Sequence, residues 1–575
     1  MSKVVLVCVK SQDPALLART HSQLARFLDA LRPDNLPEAP AQIITDGHGL
    51  FIGTFNPVEG SIRDYATYAG WLRHGAIDWW EPGTPAPDGA FALVRADRNV
   101  AEAVADFAAT RTLWIGHSPD IFVASTSQRA IPWFLGHFTP DYEAVAWMLS
   151  SGSLGPGHAW DQRARPLAPA ARARLDRDTW NLRISEPSIE FRPAPLPREQ
   201  QRAELSEALR EACSDLNVDW SQWVLPLSGG NDCRAILLRI ADRKLVRTVT
   251  WGLREALDTP GTDAYVAREL AACLGLKHEY MPTDLSHEQP ERVLQRFLLA
   301  GDARVDHIAG YMDGFELWRR LNRNGVAGIV RGDHAFGRKG IGSPREAPLI
   351  AGLVTWADYP DLPSLASLGL EYLGRQEMPL ALARRNGESP PDWRDRLVHA
   401  FNIPAVLAAL TDLKSAYVEV ANPLLIQPLV ALARSQPAPL RMDKRLFREV
   451  AAETSVPVAY ASSRAVAETT QALSHSRMVE CLRDHARSRT PRELLSPALM
   501  DLIDRRLVAT GSTKPHLRRE SAVRKLAKRV LPKGLRTALA PRPYARRISG
   551  ETLALRSYLI CEMHSRLRLD GQSAD

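Results

Sequence analysis

Residues Val224-Leu225-Pro226-Leu227-Ser228-Gly229-Gly230-Asn231-Asp232-Cys233-Arg234-Ala235-Ile236-Leu237-Leu238-Arg239-Ile240 carry an apolar strand into a polar, glycine-containing loop and then into an apolar helix. Two adjacent glycines let a backbone turn tightly and bring its N–H groups against an anion, and the following helix aims its positive end at the same spot. Ser228 adds a hydroxyl donor, and Asp232 is placed to hold the Mg²⁺ that accompanies a triphosphate. A Ser-Gly-Gly tripeptide alone marks many plain turns and caps. The strand before it, the aspartate after it and the helix beyond single this one out as a pyrophosphate-binding loop.

Outward from the loop, 575 residues are too many for one core, so two or three domains are expected. Hydrophobic residues make up 45% and charged residues 24%, the balance of an ordinary globular enzyme. Cys8, Cys213, Cys233, Cys273, Cys481 and Cys561 form no CxxC pair, so neither a disulfide framework nor a zinc site is expected, and a reducing cytoplasm fits best. The apolar run Val4–Val9 is too short for a signal segment or membrane span and reads as a buried strand. Net charge is +7, with the excess late in the chain, at Arg518-Arg519, Arg524-Lys525, Lys528-Arg529 and Arg542 to Arg547. That excess reads as a solvated helix face or as a docking surface for an acidic partner; without interleaved aromatics, no nucleic-acid role follows.

The first 185 or so residues alternate short β-like runs with turns: Val4 to Val9, Gly49 to Phe55, Gly89 to Ala96, Thr112 to Gly116 and Ile121 to Ala124. Prolines at 187, 193, 195 and 197 then break the pattern as a linker. From Arg198 the chain alternates helix and strand, with strands expected at Val224–Leu227, Val246–Trp251, His278–Met281 and Val326–Val330 and a helix at Asp263–Leu274. Such alternation predicts a parallel sheet covered by helices, with ligands at the carboxyl ends of its strands. Beyond Pro391 the chain reads as mainly helical, ending in a soft Gly-Gln-Ser-Ala tail after Asp570.

The loop lacks the Gly-Lys-[Ser/Thr] ending of ordinary nucleotide-binding loops and resembles the SGG-x-D-[ST] loop of the ATP pyrophosphatases, which split ATP between the α and β phosphates. Further matches follow in order. Asp258 through Asp263, Tyr265, Arg268 and His278 are similar to one segment of the asparagine synthetase superfamily, and Asn422-Pro423-Leu424-Leu425 with Arg441 to Arg448 to another. Asp88-Gly89-Ala90-Phe91-Ala92 and Ile121-Phe122-Val123-Ala124-Ser125 are similar to strands of the family's amidotransferase domain. The resemblance implies an α/β chain of two units. Residues 1–185 would form a degenerate class II glutamine-amidotransferase-like sandwich of the N-terminal-nucleophile type. Residues 198–575 would form an ATP-pyrophosphatase parallel-sheet domain, of the adenine-nucleotide α-hydrolase-like kind, with a helical, basic C-terminal part.

Departures from the family refine the expectation. A working amidotransferase has cysteine immediately after the initiator methionine; Ser2 stands there, and the glutamine-pocket segment is missing. Without an ammonia source, the acyl-adenylate must be attacked by an amine the substrate already carries. That logic, together with the shortened Gly332-Asp333-His334-Ala335-Phe336-Gly337 stretch, places the resemblance nearest the lasso-peptide macrolactam cyclases. There an Asp or Glu side chain of a precursor peptide is adenylated and captured by the peptide's N-terminal amine. The implied cofactors are ATP and Mg²⁺; the implied partners are the precursor peptide, a leader peptidase and a leader-binding protein. A β-lactam-forming or asparagine-forming synthetase is the alternative ligase, and a peptide-binding scaffold is the non-enzymatic one.

The resemblance also implies roles for residues. Leu227, Ser228, Gly229, Gly230, Asn231, Asp232, Cys233, Thr250, Trp251, Gly252 and Gly332 would bind ATP and pyrophosphate, and Asp232 and Asp333 the metal. Asp333 reads equally as a helix N-cap. The family's phosphate-contacting lysine is missing, leaving Lys444 or Arg464 to supply its charge. His307 or Glu419 would take the proton from the incoming ammonium, and Asp306, Tyr311 and Asp313 would contact the peptide. Helical segments after residue 300 are expected to roof the site against water.

Overall fold

The computed structural model describes residues 3–573 apart from 59, 74, 76 and 508–545. Ser2 and the basic clusters from Arg518 to Arg542 therefore lie outside the described residues. In the first part of the chain, the expected strands form two antiparallel six-stranded sheets. One is ordered β10 (Arg165–Pro166), β8 (Trp114–His117), β9 (Ile121–Ser125), β1 (Lys3–Val9), β3 (Leu50–Phe55) and β2 (Ala41–Thr45). The other is ordered β12 (Asn181–Ser185), β11 (Arg172–Asp176), β7 (Val100–Ala105), β6 (Gly89–Ala96), β5 (Ala66–Leu72) and β4 (Ile62–Arg63).

Strand alternation sorts β1 onto two cores. Val4, Leu6 and Cys8 face the second sheet, meeting Ala92 and Val94 of β6 and Ala101 and Ala103 of β7, whose small side chains let the sheets approach. Val5, Val7 and Val9 face the helix Pro14–Ala30, packing with Leu24, Phe27 and Leu28. That helix starts where Asp13 accepts the Ala15 N–H and Pro14 sits in its first turn, where no N–H donor is needed.

Residues 186–197 hold no helix or strand, as the prolines predict, and the helix Arg198–Ser214 opens the second part. Five parallel strands follow: β13 (Trp223–Pro226), β14 (Arg247–Gly252), β15 (His278–Pro282), β16 (Gly328–Val330) and β17 (Glu419–Ala421). Their order is β15-β14-β13-β16-β17. The chain leaves β13 toward one edge and returns to the other, so β13 and β16 flank the switch point where crossover connections diverge and a crevice opens. Strand β17 interrupts a region expected to be helical; at three residues it is too short to show a period.

The two parts share a face. β17 lies against β5 and β6. The Trp71 indole donates to the Leu216 carbonyl at 2.7 Å, and the Gln427 N–H donates to Asp88 at 2.9 Å. Of the tail expected to be soft after Asp570, Gly571 and Gln572 close a long helix, Gly550–Gln572, which packs on Ala130–Leu135 and Tyr142–Ser151, and residues 574–575 lie outside the described residues. Asp570 is buried against Arg129 through contacts of 2.8 and 3.1 Å, and ordering this end costs less than leaving that guanidinium alone in the core. Among the described residues one helix, Pro390–Ser415, is long and apolar enough to cross a membrane, but 61% of its apolar window is buried inside the protein. All six cysteines are free.

Candidate active site

A cavity of about 330 Å³ opens at the carboxyl ends of β13, β14 and β16. The loop after β13 supplies Leu227, Ser228, Asp232 and Cys233; β14 supplies Thr250 and Trp251; Arg331, Gly332 and Asp333 follow β16. Asp263, Arg464, Ala465 and Val466 close the outline. Nine of the residues expected at the nucleotide thus line one space. Gly229, Gly230, Asn231 and Gly252 are their chain neighbours, and Lys444 reaches in through Asp232.

The loop is held from several sides. The Leu227 N–H donates to the Val249 carbonyl at 2.8 Å, and the Leu227 carbonyl accepts from the Thr250 hydroxyl. The Ser228 N–H and hydroxyl both meet the Cys233 thiol, at 3.2 and 3.1 Å, and the Ser228 hydroxyl accepts from the Gly230 N–H at 3.2 Å. Burial pushes the Cys233 thiol up from its ordinary value, so it acts as an uncharged clamp. The Gly229 N–H donates to the Asp263 carboxylate at 3.1 Å. The amides of residues 228–230 therefore point at partners within the protein, contrary to the expected anion cradle. By position, the first-turn amides of Asn231, Asp232 and Cys233 remain without intrahelical acceptors.

The glycines also act differently from expectation. Neither Gly229 nor Gly230 has a positive φ, so tight turning is not what selects them. Gly229 is selected by crowding: a Cβ there would stand 2.4 Å from the Ala461 Cβ and 2.9 Å from the Val266 Cβ. At Gly252, where φ is +157°, a Cβ would meet the Ala465 carbonyl oxygen at 2.5 Å. Both positions let the segment 461–466 lie close over the loop. Hydrogen bonds from Ala461 N–H to the Gly229 carbonyl and from Leu253 N–H to the Ala465 carbonyl fix it there. This covering strip has no regular structure, so the expected helical roof is replaced by an irregular one. Arg234, which donates to the carbonyls of Val458 and Ala459 at 2.7 and 3.0 Å, anchors its start.

Charge is concentrated on two aspartates. Asp232 receives both its contacts from the Lys444 ammonium, at 2.9 and 2.8 Å. Lys444 and its neighbour Asp443 both hold positive φ, 56° and 55°, an uncommon pairing for two non-glycine residues and one associated with functional positions. Asp333 is gripped by Arg331 at 2.8 and 3.1 Å. Burial works against its charge, but the guanidinium outweighs that and holds the carboxyl below its ordinary value. The His334 ring, 4.0 Å from Asp232, is driven well below its ordinary value by burial, with Lys444 and Arg338 adding to the effect, and stays neutral. Asp263 is pushed up by burial, which its Gly229 bond and Arg464 only partly offset.

No group of three or more metal-binding side chains is gathered among the described residues. Mg²⁺ in nucleotide sites characteristically uses one or two carboxylates plus phosphates and water, so Asp232 and Asp333 on one cavity fit it once Lys444 and Arg331 yield.

The remaining candidates lie elsewhere. Asp306 is buried and bonded to Arg556 of the C-terminal helix at 2.7 Å, and His307 is half-exposed beside it at 3.2 Å. Asp306 ties the middle of the chain to the C-terminal helix, and neither residue lines the cavity. Asp313 caps the helix Glu316–Arg323, accepting from the N–H groups of Phe315 and Leu317 at 3.2 and 2.8 Å. Tyr311 is buried among Phe297, Phe315 and Trp318, with its hydroxyl 3.1 Å from the Lys414 ammonium. Glu419 is buried 3.4 Å from Arg111. Polar residues in a helix-rich stretch look alike in sequence whether they cap, pair or bind, and these cap and pair.

Sequence reasoning missed Asp263 and Arg331 as site residues. Asp263 enters the sequence reading as a helix start within a family-like segment, and Arg331 as the residue before Gly332-Asp333, neither with a role in the site. No model of a known protein family matches the chain, and no curated protein matches it.

Proposed function

We propose that the chain is an ATP-dependent, AMP-forming amide ligase of the asparagine synthetase kind, and that it closes a macrolactam in a ribosomally made peptide. The supporting observation is the cavity at the switch point, where the loop after β13 carries Asp232, paired with Lys444 from far along the chain, and β14 and the end of β16 bring Thr250, Trp251 and Asp333. ATP would lie along the Thr250–Trp251 edge with its phosphates toward Asp232. Mg²⁺, held by Asp232 and Asp333, would neutralise phosphate charge. Lys444 and Arg464 would offset the charge that develops on the departing pyrophosphate.

The chemistry balances in two steps. A carboxylate oxygen of the peptide attacks the α-phosphorus, forming an acyl-adenylate and releasing pyrophosphate. The peptide's N-terminal amine then attacks the acyl carbon, releasing AMP and one proton. Ordering a flexible chain so that its amine meets its own carbonyl is the costly part, and holding the peptide is the main task. Exclusion of water from the adenylate falls to the 461–466 strip.

The two antiparallel sheets are compatible with an amidotransferase-like scaffold that no longer supplies ammonia. A precursor peptide, a leader peptidase and a leader-binding protein are the partners, in the cytoplasm. Pyrophosphate exchange into ATP, stimulated by a precursor peptide and lost in Asp232→Ala, tests the reading. ADP as product overturns it. Amide formation on free small amino acids instead of a peptide favours the asparagine- or β-lactam-forming alternative, and absence of any exchange with intact peptide binding favours a scaffold.

A further inference from the structure

A second cavity, about 170 Å³ in volume, lies at the seam between the two parts of the chain. We propose that it is a binding site for a small oxyanion, a phosphoryl or carboxylate group. The proposal is independent of the ligase reading and of the cavity at the strand ends.

The argument starts from Lys3, the first residue of β1. Alternation puts it on the same face as Val5, Val7 and Val9, toward the helices, where a core side chain is expected. Its side chain lines this cavity and the residue is 4% exposed. Among the described residues its ammonium has neither a hydrogen bond nor an ion pair. Beside it, Arg32 spends its terminal nitrogens on the Pro37 carbonyl at 2.6 Å and on Asp29 at 3.5 Å, while its Nε is buried without an acceptor. Two unsatisfied cationic donors therefore border one enclosed space.

The other cations do not relieve this. Arg129 is committed to Asp570 and to the Ala30 carbonyl, at 2.9 Å. Arg296 is committed to Asp34 and Glu288. Arg292 also lines the cavity and has no side-chain partner among the described residues. The acidic groups at the wall are already taken by arginines, which leaves Lys3 without a carboxylate partner and the exposed Arg292 free to turn toward the cavity.

The Lys3 side chain is largely buried while its ammonium faces the cavity without an acceptor from the protein, an arrangement out of place on a strand face where an apolar residue is expected. An oxyanion supplies what is missing: several acceptor lone pairs and negative charge, approached by an ammonium and a guanidinium N–H in charge-assisted bonds. The volume suits a phosphate or carboxylate group with a few waters, at about 30 Å³ each, and is too small for a whole nucleotide. Because Ala30–Asp34, Arg292–Arg296 and Ala416–Tyr417 all contribute to the wall, occupancy would tie the first part of the chain to the second.

The test is calorimetric titration of the full chain with inorganic phosphate, and separately with acetate, at constant ionic strength. The variants are Lys3→Met, Arg292→Gln and Asp232→Ala, and a tungstate soak of crystals locates the anion. The expected result is at least tenfold weaker binding in Lys3→Met, weaker binding in Arg292→Gln and unchanged binding in Asp232→Ala, with an anomalous peak beside Lys3. Tighter phosphate than acetate identifies a phosphoryl ligand, and the reverse a carboxylate. Equal affinity in wild type and Lys3→Met, or a tungstate peak only beside Asp232, overturns the proposal. Should Lys3→Met fail to fold, Arg292→Gln carries the same comparison.

Discussion

The Lys444 ammonium sits 2.9 and 2.8 Å from the two carboxylate oxygens of Asp232, a residue 212 positions earlier in the chain. Asp232 lines the strand-end cavity, and under the proposed function the pair faces two competing demands: Asp232 would have to meet a cation, and Lys444 would have to be free to meet phosphate. Asp232→Ala is expected to lower pyrophosphate exchange by about 1,000-fold. Lys444→Met is expected to lower exchange by about 100-fold while strengthening Mn²⁺ binding, read by electron paramagnetic resonance, because the carboxylate is released. Weaker Mn²⁺ binding in Lys444→Met would show that the lysine supports the metal site instead of capping it.

Close packing of the 461–466 strip gives a second prediction. Gly229→Val places atoms where Ala461 and Val266 already stand, so overpacking should cost about 1–3 kcal/mol and lift the strip. Gly252→Ala should do the same through Ala465, with added strain at φ +157°. Thermal melts and binding of a fluorescent ATP analogue should fall together. A variant that keeps nucleotide affinity while losing stability would separate the strip from the site.

Arg464 is exposed and lines the cavity, so under the proposed function its charge acts on the nucleotide and the fold does not depend on it. Arg464→Gln should leave the melting curve within about 0.5 kcal/mol of wild type and slow exchange by about tenfold or more. Arg464→Lys should recover part of the loss.

Asp306 gives a pH dependence with a definite sign. Burial alone would raise its carboxyl, but Arg556, with His307 beside it, brings it down to about 2 from an ordinary 3.8. A carboxyl depressed on folding stabilises the protein above the unfolded value, and that contribution is lost as pH falls from about 4 to about 2, amounting to about 2 kcal/mol. Asp306→Asn should remove this acid-limb dependence from melts followed by circular dichroism. Exchange per folded molecule at pH 7 should be unchanged, since Asp306 does not line the cavity.

The Arg129–Asp570 pair closes the end of the chain onto its beginning. Asp570→Asn leaves a buried guanidinium uncompensated, at a cost of about 3–5 kcal/mol. The melting temperature should drop sharply, and amide exchange along Gly550–Gln572 should accelerate. Replacing Arg129 and Asp570 together by leucine and methionine should restore most of the loss.

The sequence by itself determined what depends on near neighbours. Period-2 apolar runs located β1, β3, β6 and β9; the proline run marked the break at 186–197; and helix–strand alternation located β13 to β16 with the loop after β13. Each signal is written in fewer than a dozen consecutive residues, because side-chain alternation, turns and caps are local physics. Only the tertiary structure decided which polar residues share a space. It brought Lys444 to Asp232, Asp263 to the Gly229 amide and Arg331 to Asp333, and carried Asp306, Tyr311, Asp313 and His307 away into caps and buried pairs. It also reassigned Gly229 from a turning residue to one chosen for room, and Gly571 and Gln572 from a loose tail to the last residues of a packed helix. Several of these outcomes rest on contacts between residues far apart in the chain, 212 positions for Lys444 and Asp232 and 250 for Arg556 and Asp306. Whether a charged side chain meets solvent, a ligand or a buried partner is set by what the fold places opposite it, which no short stretch of sequence contains.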